Sequence, residues 1–213
     1  IINPNGYVGV LTLWSDPNKI LKRLDRLHID LTSQSSPIAA IGTLYGNGLR
    51  HLLRNLLYNP QINTLIFCGR NKSGSKEDLY NFFNSGIDIL NISSPFELDG
   101  KEIPIAKIKN TNTKIDSLVK LEEFENSLPN LIDLGELSTN SEVEYAQKIF
   151  SSSFIYSSSL AFKPLSYESK IIPLPHANIQ TLPSNPRGFV IIRDTIFESW
   201  KNLIFILYRF GHI

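Results

Sequence analysis

The amino-acid sequence predicts an α/β fold in which a parallel β-sheet carries helices on both faces. Three short segments, residues 7–14, 37–44 and 63–69, are almost entirely apolar and rich in β-branched residues. Such continuous apolar runs are typical of strands that are buried on both sides in a parallel sheet. Each run is followed by a segment with helical periodicity, and the alternation of strands and helices indicates that the sheet is parallel.

Local signals place helices between these strands. Ser15-Asp16-Pro17 provides a capping residue and a first-turn proline, which predicts a helix over 18–27. Leucines recur at helical spacing over 49–57, and Asn59-Pro60 should end that second helix. The third run is followed by a predicted helix over 75–86, whose last residue is a glycine that can end it.

The pattern becomes mixed after residue 86. The predicted elements there are, in chain order, a short strand at 88–92, a hairpin over 96–105 with an Asp-Gly turn, a helix over 114–128, a last strand at 130–135 and a helix over 141–150. With the elements before them, they predict a Rossmann-like α/β domain over residues 1–153.

Two further regions follow this predicted domain. Residues 154–188 are rich in proline, which is excluded from helix interiors and central strands, so they predict an irregular connector. The connector also carries many large apolar side chains, which predicts that it packs along the α/β domain as ordered chain. Residues 189–213 predict the first strand and helix of a second domain, with a capping box of Thr195 and Glu198.

Composition limits the classes of function. The net charge of the 213 residues is +1 with both signs interspersed, which argues against a nucleic-acid partner. No stretch approaches the ~20 apolar residues of a membrane span, so a cytoplasmic protein without a membrane partner is expected. The only cysteine, Cys68, lies in an apolar run and is expected to be a buried, unreactive thiol. No pair of histidines has the spacing of a metal site.

The loop after the third strand is the main candidate for a binding site. It could be an ordinary turn, or a loop whose backbone N–H groups bind an anion at the start of the next helix. It matches no glycine fingerprint of nucleotide-binding proteins. The turn after the second strand should open on the same edge of the sheet, so both loops would form one polar mouth for an anionic or carbonyl-rich ligand. The candidate ligand-binding residues are Gly69, Arg70, Asn71, Lys72, Ser73, Gly74 and Ser75, with Tyr45, Asn47 and Gly48.

Other charged residues favour structural interpretations. Arg50 and Arg54 lie one helical turn apart, and an exposed helical pair is favoured over a phosphate-binding pair. Glu122, Glu123 and Glu125 are expected on a solvated helix face rather than as an acid–base pair. The serines form no nucleophile motif of a hydrolase, and no catalytic residue is predicted in the chain.

Four blocks of the sequence resemble the corrinoid-binding subunit of tetrahydromethanopterin S-methyltransferase. They are VGVLTLWS, NGLRHLLRNLLYNPQINTLIFCG, KSGSKEDLYNFFNSGI and NLIDLGEL, all within residues 1–153. In that family the loop after the third strand carries a histidine that can ligate cobalt. Ser75 takes this position here, and a hydroxyl is a poor axial ligand for cobalt. The resemblance therefore implies the fold of that family with cobalt coordination lost.

The tail, PSNPRGFVIIRDTIFESWKNLIFILYRFGHI, is similar to the start of thymidylate synthase-family enzymes. This resemblance implies that the chain is the accessory amino-terminal region of a pyrimidine nucleotide C5 methyl- or hydroxymethyltransferase that uses a folate one-carbon donor. In that family a cysteine thiolate attacks C6 of the pyrimidine. The chain has no Pro-Cys-His site, so the catalytic residues are expected beyond residue 213. The family also implies a homodimer.

Two other functions stay open at the level of the sequence. The domain could be a binding module for a pterin, a corrinoid-like molecule or another anionic small molecule at the 69–75 loop. It could also be a structural interaction domain without a ligand. No cofactor is predicted for this region itself, since the folate donor is implied only for the full-length enzyme.

Overall fold

The computed structural model describes residues 1–31, 36–151 and 169–177. Its strands are β1 (Val8–Leu11), β2 (Ile38–Gly42), β3 (Thr64–Phe67), β4 (Ile87–Ile89), β5 (Phe96–Leu98), β6 (Lys101–Ile103), β7 (Ile105–Ile108), β8 (Lys114–Asp116), β9 (Asn130–Asp133) and β10 (His176–Ala177). Its α-helices are α1 (Pro17–Arg26), α2 (Gly48–Tyr58), α3 (Ser75–Ser85) and α4 (Asn140–Ser151), and a short 3-10 helix spans Leu121–Phe124.

A four-stranded parallel sheet forms the centre of the domain, with the strand order β2-β1-β3-β9. All residues of β1, β2 and β3 are buried, because a parallel sheet is covered on both of its faces. β1 lies in the middle, where Val8 pairs with Ile38 on one side and with Thr64 on the other. The predicted α/β class with a parallel sheet is confirmed.

The buried apolar side chains divide into two clusters. One cluster contains the leucines of α2 together with Phe82 of α3. The other contains Leu24 of α1 and Phe150 of α4. Neighbouring residues of a strand point to opposite faces, so Ile66 of β3 joins the second cluster and Phe67 the first. The sheet therefore lies between a layer of α2 and α3 and a layer of α1 and α4.

The helix ends follow the local signals in the sequence. At the start of α1, the Asp16 carboxylate accepts a hydrogen bond from the Asn18 N–H at 2.9 Å, and Pro17 occupies the first turn. Helix α3 begins after Gly74 and ends at Gly86, where φ is 72° and 73° respectively. Glycine adopts such a positive φ without the steric cost that other residues incur. The predicted ends of α1 and α3 are confirmed.

Two small antiparallel sheets have the strand orders β4-β7-β8 and β10-β5-β6. Strands β4 to β8 lie between α3 and β9 in the chain, and β10 comes from the connector. The predicted hairpin is present, since β5 and β6 are joined by Asp99 and Gly100, with φ of 51° and 73°. Ala106 and Ile108 of β7 join the cluster of α2 and α3. This inserted region therefore completes one face of the core.

The predicted helix over 114–128 is wrong. Lys114–Asp116 forms strand β8, which pairs antiparallel with β7, and Leu121–Phe124 forms only a 3-10 turn. Ile115 and Val119, which a helix would place on one face, are both buried. However, β7 presents backbone groups that need partners, and the extended conformation satisfies them. Long-range strand pairing therefore overrides the local helical spacing.

The described part of the predicted connector, residues 169–177, lies against the α/β domain. The Lys170 N–H donates to the Leu57 carbonyl at 2.9 Å, Ile172 packs against the cluster of α2 and α3, and β10 pairs with β5. Ile171, by contrast, is 80% exposed, so its side chain does not pack as the sequence predicts. The rest of 154–188 and the predicted strand and helix of 189–213 lie outside the described residues.

Candidate functional site

The carboxyl ends of the four parallel strands lie along one edge of the central sheet. The chain passes from β1 to β2 on one side of β1 and later to β3 on its other side, so the strand order reverses at β1. Open α/β sheets bind their ligands at such a reversal, outside the carboxyl ends of the strands. The loops after β1 and β3 therefore form the candidate ligand site.

These two loops are joined by hydrogen bonds. The Trp14 N–H donates to the Arg70 carbonyl at 3.0 Å, and the Arg70 N–H donates to the Ser15 hydroxyl at 2.9 Å. Gly69 makes the close approach possible. Its φ is +149°, and a Cβ atom at this position would overlap the Thr12 carbonyl and lie 2.9 Å from the Ser15 side chain. The two loops therefore form one connected surface at the carboxyl edge.

The turn after β2 contains the other predicted site residues. Tyr45 is half-buried, Asn47 is exposed, and Gly48 is the first residue of α2. Because β1 lies between β2 and β3, the loop after β1 separates this turn from the 69–75 loop. The polar mouth expected from the sequence is thus divided by Trp14, whose ring centroid lies 4.7 Å from that of Tyr45.

Several predicted donors of the 69–75 loop are bonded within the protein. The Asn71 side-chain amide donates to the Glu77 carboxylate at 2.5 Å, and the hydroxyls of Ser73 and Ser75 are 2.7 Å apart. Ser75 is only 3% exposed, so its hydroxyl contributes to the loop structure rather than to its surface. The Asn71 side-chain oxygen is buried and has no hydrogen-bond partner in the described part of the chain. An unsatisfied polar atom of this kind is uncommon in folded proteins.

Two cations of the loop remain accessible to an anion. The Arg70 side chain is 57% exposed and pairs with Glu136 at 3.4 Å, which is long for a charge-assisted hydrogen bond. Lys72 is exposed and has no hydrogen bond or ion pair with any described residue. Lys76, by contrast, is held by Asp133 at 2.6 Å, and this hydrogen bond raises the pKa of Lys76. Arg70 and Lys72 are therefore the cations that a ligand can reach.

Acidic residues lie at the start of α3, next to this loop. Gly74 precedes the helix and offers no side-chain cap, whereas Glu77 and Asp78 lie in the first turn. Asp78 is buried, accepts a hydrogen bond from the Thr113 hydroxyl at 2.7 Å, and has a pKa that burial raises. Acidic groups in a first turn complement the positive end of the helix dipole and weaken its attraction for an anion. The helix start alone is therefore a poor anion site.

A second polar cluster, which the sequence did not reveal, lies between α2, β8 and the connector. We call Arg50, Arg54 and Asp116 the arginine clamp. The Asp116 carboxylate accepts hydrogen bonds from Arg50 Nε and from Arg54 Nη2, both at 2.6 Å. The side-chain exposures of the three residues are 6%, 10% and 0% respectively. The prediction of an exposed arginine pair is therefore wrong, because β8 and the connector cover this side of α2.

Other donors of the arginine clamp hold the connector. Arg50 Nη2 donates to the Pro175 carbonyl at 2.8 Å, and Arg54 Nε donates to the Pro173 carbonyl at 3.0 Å. The Arg50 guanidinium also lies 4.2 Å from the centre of the Phe96 ring, a favourable cation–π distance. Through these contacts the two buried arginines hold the connector against α2. We assign the arginine clamp a structural role.

His51 lies on α2 next to the arginine clamp. Burial, together with the charges of Arg50 and Arg54, lowers the pKa of His51 from 6.5 to about 4. Between these two pH values the unfolded chain takes up a proton at His51 and the folded chain does not, so stability should fall as the pH falls. We expect thermal unfolding to show this loss between about pH 6.5 and 4, and we expect His51→Gln to reduce it. An unchanged pH profile in His51→Gln would contradict the prediction.

Cys68 follows β3 and is fully buried, as the sequence predicts. Burial raises the pKa of its thiol to about 12. The thiolate is the reactive form of cysteine, so we expect no reaction of the folded protein with an aromatic disulfide reagent near neutral pH. The same reagent should react completely after unfolding in guanidinium chloride. Reaction of the folded protein at the rate of a free thiol would show that Cys68 is accessible.

Among the described residues, no group of three or more His, Cys, Asp or Glu side chains could hold a metal ion. Nor is any helix of the described ranges long and apolar enough to cross a membrane. Among the described residues, the carboxyl edge presents to a ligand the two cations Arg70 and Lys72 and the aromatic pair Trp14 and Tyr45.

Fold and site together define an α/β protein with a four-stranded parallel sheet and glycine-containing loops at its carboxyl edge. Comparison of the chain with models of protein families, with curated proteins and with solved structures found no match in any of the three. Its functional assignment therefore rests on the geometry and on the sequence resemblances described above.

Proposed function

We propose that the α/β domain is a small-molecule-binding module whose site lies in the loops after β1 and β3. The observation that supports this most is the strand order β2-β1-β3-β9, which reverses at β1. Parallel α/β sheets use this position for ligands because side chains and main-chain groups of two diverging loops surround it. The turns that lead from a helix into a parallel strand lie at the opposite edge of the sheet.

The chemistry of the loops favours an anionic ligand. Arg70 and Lys72 are exposed at the site, and the weak pairing of Arg70 with Glu136 allows a ligand anion to compete. A pterin, a corrinoid-like molecule or another anionic small molecule meets this requirement. Coordination of cobalt by residue 75 is not part of the proposal, because the Ser75 hydroxyl is buried against Ser73.

Isothermal titration calorimetry of the 213-residue chain with cobalamin, folates and pyrimidine nucleotides tests the binding function. We expect at least one of these compounds to bind, and we expect the charge reversal Lys72→Glu to weaken its binding severalfold. Lys101→Glu is the matched control, because Lys101 is an exposed lysine of the β5–β6 hairpin, which belongs to a different sheet. Absence of binding to every compound would leave the 69–75 loop as a turn.

We also propose a wider setting for this module. Its Rossmann-like domain would be the accessory amino-terminal region of a homodimeric thymidylate synthase-family enzyme, one that transfers a methyl or hydroxymethyl group from a folate donor to C5 of a pyrimidine nucleotide. The resemblance of residues 183–213 to the start of that family supports the proposal. The connector and the predicted strand and helix at 189–213 would then lead into the catalytic domain.

The coding sequence downstream of residue 213 tests this wider setting at low cost. We expect a Pro-Cys-His nucleophile site and an Arg-Arg pair within the next few hundred residues. A stop codon near this position would contradict the proposal, and it would leave the small-molecule-binding function of the α/β domain unaffected.

A further inference from the structure

We infer that the ligand of this site is a planar aromatic molecule with an anionic group, and that its ring stacks on the indole of Trp14. The inference rests on the proposed function, since it names the ligand class for the same carboxyl edge. Trp14 lies in the loop after β1, at the strand where the order of the sheet reverses.

The surroundings of Trp14 make its ring a fixed platform. The ring packs against Tyr45 with 4.7 Å between the centroids and 30° between the ring planes, yet 42% of Trp14 remains exposed. The Trp14 N–H is held by the Arg70 carbonyl at 3.0 Å, which fixes the backbone. The preceding residue, Leu13, has a φ of +53° and is 1% exposed, so the chain turns Leu13 into the core and Trp14 outward.

Such an arrangement suits stacking by a ligand ring. Tyr45 packs against the indole, and Trp14 stays partly exposed at the edge where parallel sheets bind ligands. Aromatic side chains bind planar rings by stacking, and this binding depends little on the substituents of the ring. The ring of the ligand is therefore recognised by Trp14, and its substituents are recognised by the neighbouring polar groups.

The anionic group of the ligand follows from Arg70. The Arg70 backbone is hydrogen-bonded to Trp14 and to Ser15, so the Arg70 side chain begins next to the Trp14 ring. That side chain is 57% exposed, and Glu136, its partner at 3.4 Å, is itself 42% exposed. An anion that binds Arg70 displaces Glu136 rather than a buried carboxylate. Lys72, exposed in the same loop, adds a second positive charge.

The chain offers a direct optical test, because Trp14 and Trp200 are its two tryptophans. In Trp200→Phe the emission comes from Trp14 alone. We expect acrylamide to quench this emission efficiently in the full chain. Shielding of Trp14 from acrylamide would overturn the inference, since another part of the chain would then cover the platform.

The ligand class is tested with a matched pair of probes. Uridine monophosphate and ribose 5-phosphate share a sugar phosphate, and only the first carries a planar ring; flavin mononucleotide and folate serve as larger planar anions. We expect at least one planar anion to quench Trp14 and to bind more tightly than ribose 5-phosphate. Trp14→Ala should weaken that binding about tenfold or more, whereas Trp14→Phe should retain most of it.

The outcomes separate this inference from the proposed function. If ribose 5-phosphate binds as tightly as the planar anions and Trp14→Ala changes no affinity, the site binds an anion and the stacking inference fails. If neither ribose 5-phosphate nor any planar anion binds, the stacking inference fails, and the proposed function fails with it only when cobalamin does not bind either. The melting temperature of Trp14→Ala should stay close to that of the unmodified chain, which shows that a loss of affinity is not a loss of folding.

Discussion

Replacing Asp116 with alanine is expected to destabilise the protein by about 3–5 kcal/mol. The change leaves Arg50 and Arg54 buried without a counter-charge, at side-chain exposures of 6% and 10%. It also removes the group that orients both guanidinium groups toward the carbonyls of Pro173 and Pro175. Urea unfolding followed by circular dichroism measures the free energy of unfolding for the unmodified chain and the variant.

Two further variants give this prediction its controls. Asp116→Asn keeps the shape and an oxygen acceptor but removes the charge, so its loss should be smaller than that of Asp116→Ala. Asp88→Ala removes an exposed carboxylate that pairs with Lys109 at 3.6 Å, and such a surface pair contributes little to stability. Equal, small losses for Asp116→Ala and Asp88→Ala would show that the arginine clamp is not a stabilising element.

The arginine clamp also has an expected pH signature. Burial alone would raise the pKa of Asp116, but the charges and hydrogen bonds of Arg54 and Arg50 outweigh burial and lower it below 3.8. A lowered folded-state pKa contributes stability that is present above the unfolded-state pKa and is lost as the pH falls through the folded-state pKa. The loss therefore lies below about pH 4, and it should be absent from Asp116→Asn. This loss of stability can be separated from the loss caused by His51, which occurs at higher pH.

Replacing Gly69 with alanine is the second change with a large expected effect. The φ of +149° is strained for any residue with a Cβ atom, and that atom would overlap the Thr12 carbonyl. Backbone strain and overpacking each cost about 1–3 kcal/mol. We expect a clear fall in the free energy of unfolding, together with weaker ligand binding, because the loops after β1 and β3 can no longer approach each other.

Gly100→Ala is the matched control for Gly69→Ala. Gly100 also has a positive φ, of +73°, but nothing lies within 4 Å of the position that its Cβ would occupy. This variant should show the cost of the backbone conformation alone and should leave ligand binding unchanged, because Gly100 lies in the hairpin turn. If the two variants lose the same stability, the contact between Gly69 and Thr12 does not constrain the fold.

The strands of the central sheet could be predicted because their signal is local and strong. A run such as 63–69 has no polar face to place in solvent, so burial on both sides is the arrangement that its composition favours. The ends of α1 and α3 could also be predicted from the sequence, since Asp16, Pro17 and Gly86 act on their own turn of the chain. These features need no knowledge of distant residues.

The region 114–128 shows where local signals fail. Ile115 and Val119 have the spacing that a helix can bury on one face, and both are buried although Lys114–Asp116 is a strand. The difference is made by β7, which supplies hydrogen-bond partners for Lys114–Asp116. The apolar spacing of the sequence thus indicated that these two residues enter the core, and strand pairing determined the conformation of the chain around them.

The site residues divide in the same way. The sequence marked the 69–75 loop as a candidate because glycines, serines and cations follow a buried strand. It could not show that the Ser75 hydroxyl is buried, that Asn71 is bonded to Glu77, or that Trp14 stands between the two glycine-containing loops. Each of these depends on which loops become neighbours.

By itself the sequence determined the α/β class, the buried strands and the helix ends, because apolar spacing, caps and glycines act over a few residues. Only the tertiary structure decided that β1 lies between β2 and β3, and hence that Trp14 divides the carboxyl edge. It also decided that Arg50 and Arg54 are buried, because their partner Asp116 lies 66 and 62 residues further along the chain. Strand order and charge pairing over such separations are set by the packing of the whole chain, which no short segment records.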